Sequence, residues 1–129
     1  MGKIYSEIMI SNPVRVDLMP LSVQCLVVSG ALHLCIPEHL SIQLELKELE
    51  KREVTLADGK KSLCSYVGPV RVQFGNRSCF TGALVIGDSP LLGAIPMEDM
   101  DLVIHPSLQK LTVNPANPNI PMSVAKISI

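Results

Sequence analysis

The sequence predicts a mainly all-β domain, a barrel or sandwich of short strands, and three observations predict it. Short apolar segments alternate with turn-forming pairs such as Asp58-Gly59, Gly68-Pro69 and Gly75-Asn76, roughly the 8–12-residue rhythm of all-β folds. The chain has 129 residues, 47% hydrophobic and 18% charged, enough for one core and too apolar for disorder. Helical signals are confined to two short places, one after Pro37 and one at Pro96–Met100. A single domain spanning residues 1–129 is expected, with residues 114–129 as a C-terminal arm.

Lys3 to Ser11 reads as the first strand, since Ile4, Ser6, Ile8 and Ile10 share one face, and Asn12-Pro13 closes it. Val14 to Met19 fits no pattern and ends at Pro20. Leu21 to Val28 is a second strand, and its Val and Leu content predicts burial on both faces. Ser29-Gly30-Ala31 turns, and Leu32 to Ile36 is strand again. Pro37 suits the first position of a helix, Glu38 suits its dipole, and Leu40 and Leu44 form its apolar stripe. Charge and propensity would carry this helix to Lys51, whereas Glu53-Val54-Thr55-Leu56 reads as strand.

Asp58-Gly59 predicts a hairpin between Glu53–Ala57 and Lys60–Tyr66. Gly68-Pro69 punctuates before a strand at Val70–Phe74, and Gly75-Asn76 turns into a strand at Arg77–Ile86. Leu91–Ile95 is a short apolar strand, and Pro96 to Met100 starts a short helix whose acids suit its N-terminus. Leu102–Ile104 and Lys110–Val113 pair, and Asn114–Pro121 is too rich in proline and asparagine for regular structure. Ser123 to Ile129 alternates as a terminal strand that needs a partner.

Composition excludes several function classes. The net charge is −1 and aromatics are 3%, so neither a phosphate-binding surface nor a base-stacking platform is expected, and nucleic acid is not a partner. No apolar run approaches the ~20 residues of a membrane helix, and the N-terminus is too polar for a signal peptide. MGKIYS fits the loose N-myristoylation pattern, but a first strand explains the same residues. Cys25, Cys35, Cys64 and Cys79 match no zinc or CxxC spacing, which predicts reduced thiols in a cytoplasmic protein. His33 and Cys35 would share a strand face, but no further ligands sit at useful spacing, so no metal or cofactor is expected.

The stretch Gln24–Pro37 organises the rest: strand, small-residue turn with a hydroxyl, strand, then a proline-started helix. Together with its successors it resembles the retropepsin-like aspartic peptidases of clan AA, in their small prokaryotic-type form. The matching residues are Leu26-Val27-Val28-Ser29-Gly30-Ala31, then Leu34-Cys35-Ile36-Pro37, then Glu53–Gly59, Gly68–Val72, and Leu91-Leu92-Gly93-Ala94-Ile95. The resemblance spans residues 21–121 and rests on the order of these motifs. It implies a retropepsin-like closed β-barrel with one or two short helices, a homodimer, and a peptide or protein segment as ligand. It also implies that Leu91-Leu92-Gly93 packs beside the catalytic loop. Val28, Ser29 and Gly30 fall on the family's catalytic Asp-Thr/Ser-Gly. Ala31 and the flap-like Ala57, Asp58 and Gly59 fall on its substrate-binding positions.

Val28 departs from that pattern. Aspartic peptidase chemistry needs two carboxylates sharing one proton, one from each subunit when the chain carries a single motif. An isopropyl group neither binds a proton nor orients water. Asp58 and Asp88 are explained by turns, and Glu98, Asp99 and Asp101 by a helix start. Ser29 has no evident base and lies in no G-x-S-x-G elbow. Three readings follow: an inactive homologue binding extended peptide, a member of an active endopeptidase family whose aspartate is lost in this chain, or a structural barrel assembling through its terminal strand.

Overall fold

A computed structural model describes residues 2–125 of the chain. Eleven elements follow in order: β1 (Ile4–Ser11), β2 (Leu21–Val27), β3 (Leu34–Ile36), α1 (Glu38–Gln43), β4 (Lys47–Thr55), β5 (Lys61–Phe74), β6 (Arg77–Val85), β7 (Leu91–Leu92), α2 (Ala94–Asp99), β8 (Leu102–His105) and β9 (Lys110–Val113). Hydrogen-bonded neighbours run β1-β2-β7-β3-β6-β5-β4, and β5 returns to β1 through Met9 opposite Gln73 and Ile10 opposite Val72. That last pairing closes a six-stranded barrel and leaves β4 outside it, paired along its ladder with β5. The alternation of β1 explains the closure, because Ile8 and Ile10 point inward together with Val70 and Val72 of β5. Leu34, Ile36, Leu92 and Met100 complete the aliphatic core.

Several element boundaries differ from expectation, each for a local reason. β2 is not buried on both faces: Cys25 and Val27 are buried, whereas Ser22 and Gln24 are exposed. β3 starts at Leu34 because the backbone at Ala31 and Leu32 is engaged by the start of α2. Pro37 caps α1 in extended conformation (φ −69°, ψ 156°) rather than opening it. The helix stops at Gln43, and Glu45 at φ 50° turns the chain into β4. The charges that favoured a longer helix belong to β4, whose position outside the barrel leaves most of its side chains in water.

β5 is one 14-residue strand, so Gly68-Pro69 lies inside a strand instead of ending one. Proline has no N–H to give the ladder, and the β5–β6 register shifts between Val67 and Val70. β7 is only two residues long, and α2 begins at Ala94, two residues before the expected Pro96. Glu98 and Asp99 therefore end the helix, so the dipole does not explain them. β8 and β9 pair as expected, from Leu102 opposite Val113 to His105 opposite Lys110. The segment after Asn114 is irregular, and 123–125 carry no strand, while 126–129 of the expected terminal strand lie outside the described residues.

Candidate functional site

The chain leaves β2 into a tight turn, Val28-Ser29-Gly30-Ala31, closed by the Ala31 N–H donating to the Val28 carbonyl at 3.3 Å. Neighbouring backbone fixes it on both sides. Leu26 N–H donates to Pro90 O and Val28 N–H to Leu92 O, both at 3.0 Å, extending the parallel β2–β7 pairing. Beyond the turn, Ala94 N–H donates to Ala31 O at 2.7 Å and Ile95 N–H to Leu32 O at 2.9 Å. Gly93 makes this crossing possible: a Cβ there would stand 2.5 Å from His33 O and 2.8 Å from Ala31 O. Leu91-Leu92-Gly93 thus packs beside the turn, as the resemblance implied.

Val28 and Ser29 line a cavity of about 660 Å³ whose wall is mainly aliphatic, with Ile4, Leu26, Met97, Leu102 and Ile104. Its charged lining groups among the described residues are Lys3 and Glu98. Val28, at the head of the turn, contributes no carboxylate to this cavity. Ser29 is exposed, and its hydroxyl makes no hydrogen bond to a described residue. His33, the nearest histidine in sequence, faces Arg52 and Tyr66 instead. Nothing here activates a serine nucleophile.

The other expected site residues sit at the tip of the β4–β5 hairpin. Ala57, Asp58 and Gly59 are exposed, and none of them lines the cavity beneath Val28. The tip is a tight turn within a closed loop: Leu56 N–H donates to Lys60 O at 2.8 Å, Gly59 N–H to Leu56 O at 2.9 Å, and Gly59 takes φ 85°. Lys60 N–H donates to the Asp58 carboxylate at 2.9 Å, which accounts for that acid locally. Val28, Ser29, Gly30 and Ala31 therefore come together, with the hairpin tip set apart from them.

Arg52 and Tyr66, which the sequence pattern does not single out, join the hairpin to the chain after the turn through His33. The Arg52 guanidinium lies 3.8 Å over the Tyr66 ring, its Nη1 is 3.4 Å from His33 Nε2, and the His33 and Tyr66 rings meet edge-on at 5.8 Å. Burial, and then the Arg52 charge, hold the His33 pKa below the usual imidazole range. Cross-strand pairing of β4 with β5 places Arg52 near Tyr66, but no periodicity could have brought His33 to them. Among the remaining acids, Asp88 is exposed in the loop after Gly87, and Asp101 accepts from Asn114, Asn117 and the Met122 N–H.

Among the described residues no three His, Cys, Asp or Glu groups gather as a metal site. The four cysteines stand free, and burial pushes the Cys25 thiol up to about 11 and Cys79 to about 12. No helix among the described residues is long and apolar enough to cross a membrane.

This barrel is a retropepsin-like protease fold. It is similar to the retroviral protease-like domain of Ddi1 from Leishmania major, with TM-score 0.59 and 14% identity over 89% of this chain and 90% of that one. It also matches the Simian Foamy Virus (mac) protease, with TM-score 0.47 and 16% identity over 74% of this chain and 91% of that one. A retropepsin-like aspartic protease from Rickettsia conorii matches at TM-score 0.43 and 15% identity, over 76% of this chain and 82% of that one. No protein-family model and no curated protein matches the sequence.

Proposed function

We propose that this chain is a retropepsin-like homologue without proteolytic activity, which binds an extended peptide or protein segment as a homodimer. The observation that carries the reading is Val28. It heads the turn that β7 and Gly93 clamp, the position the motif order assigns to the catalytic aspartate, and it offers only an isopropyl group. Two copies facing each other would bring two such groups together and no shared proton. The mainly aliphatic wall beneath Val28, exposed Leu32 and Ile95 beside the turn, and the single motif copy favour a second copy of the chain on this face.

A segment held between the turn and the β4–β5 hairpin would use main-chain hydrogen bonds, with Ala31 below it and Ala57, Asp58 and Gly59 above. The loss of the dyad removes the chemistry and leaves this kind of binding untouched. The experiment is to incubate the unaltered protein with a mixture of unstructured peptides between pH 4 and pH 7 and recover what binds by mass spectrometry. Bound peptides are expected intact. Pepstatin-sensitive fragments would overturn the inactive reading, and no retention of any peptide would overturn the binding reading.

A further inference from the structure

Arg52, Tyr66 and His33 form a built cationic station where the hairpin meets the chain leaving the turn. Tyr66 is the platform, and Gly82 on β6 makes room for it: a Cβ there would stand 2.1 Å from the ring. The Arg52 guanidinium carbon lies over the Tyr66 ring, 3.8 Å from its centroid, a position that leaves the edges of the guanidinium for hydrogen bonds. His33 Nε2 meets Nη1 at 3.4 Å, and Glu50, itself exposed, meets Nε at a long 3.4 Å. No hydrogen bond from Nη2 to a described residue is present. The guanidinium is therefore held against His33, which stands two residues beyond Ala31, with its Nη2 uncommitted among the described residues.

We infer that this station is a specificity site for an acidic side chain, selecting extended segments that place an Asp or Glu carboxylate against Arg52 with His33 beside it. The inference rests on the peptide-binding reading above. A carboxylate is the complementary ligand because Arg52 presents a planar fork, because Tyr66 blocks one face from water, and because Glu50 lies at the rim and yields at little cost. A neutral amide in the same place offers a single acceptor oxygen and no opposite charge, so it accepts one bond from the fork and gains less for displacing the Glu50 contact.

The test uses two pools of extended peptides, identical except that one scanned position carries Glu in the first pool and Gln in the second. Retention on the full chain is compared with retention on Arg52→Met, which keeps the stem over Tyr66 but loses the fork. The Glu pool is expected to bind the unaltered protein about tenfold more tightly than the Gln pool, and Arg52→Met to bring both to the Gln level. His33 ring signals in a two-dimensional NMR spectrum should shift with the Glu pool and stay in place with the Gln pool. Equal retention of both pools by the unaltered protein overturns the acidic site while leaving peptide binding intact. Retention of neither pool overturns the peptide-binding reading, and the acidic site with it.

Discussion

Gly93 and His33 cross so closely that a Cβ on Gly93 would stand 2.5 Å from the His33 carbonyl oxygen and 2.7 Å from the Leu32 carbonyl carbon. Both obstacles are backbone and cannot rotate away. Gly93→Ala is expected to cost roughly 3 kcal/mol, the upper range for forcing an extra methyl into a packed site. Urea denaturation checks it. Gly30→Ala is the control, since a Cβ there meets nothing within 4 Å.

Asp101 pins the C-terminal arm. Its carboxylate, held below the usual carboxylate range first by the Met122 N–H and then by Asn114 and Asn117, accepts from all three. Asp101→Asn should keep the backbone at φ 54°, which asparagine tolerates, while turning one acceptor into a donor. The expected outcome is a lower melting temperature and faster limited proteolysis after residue 114. Because the folded pKa is lowered, this contribution is present above pH 3.8 and fades as the pH falls below it.

Cys25 is fully buried, and burial raises its thiol from 9.0 to about 11. A raised folded pKa gives stability that is present below pH 9 and is lost as the pH rises toward 11. At ~1.4 kcal/mol per pH unit the loss is about 2–3 kcal/mol. Thermal melts of the unaltered protein and of Cys25→Ala across pH 8 to 11 check it: the fall should be shallower in the variant.

Assembly is the next expectation. Sedimentation equilibrium should give a dimer, and Val28→Lys, which sets an ammonium beside Leu26 and Met97 in the apolar cavity, should shift it to monomer. A monomeric unaltered protein, or a dimer that Val28→Lys leaves intact, would contradict the proposal that two Val28 side chains face each other across a dimer.

The strand pattern was legible because Ile4, Ser6, Ile8 and Ile10 recur at a period of two and because Asp58-Gly59 and Gly75-Asn76 mark hairpins that form where they stand. The turn Val28–Ala31 was legible as a motif, and so was its apolar partner Leu91-Leu92-Gly93. What escaped was set by distant contacts. The first part of β4, up to Lys51, reads as helix because its charges face water, as an outer strand allows, whereas Glu53 to Thr55 reads as the strand it is. Gly68-Pro69 reads as a break because its bulge depends on close approach to Gly82. The union of Arg52, Tyr66 and His33 joins residues far apart in sequence, and local pattern carries no trace of it.

In the reading proposed above, the scaffold is intact and lacks only the carboxylate at position 28. Cleavage of unstructured peptides at pH 4 to 7 by the unaltered chain and by Val28→Asp, each with and without pepstatin, tests it most directly. The unaltered chain should be silent and Val28→Asp should show pepstatin-sensitive cleavage, with Val28→Asn silent as the uncharged control. Pepstatin-sensitive cleavage by the unaltered chain, or a folded, dimeric Val28→Asp that cleaves nothing, would contradict the account.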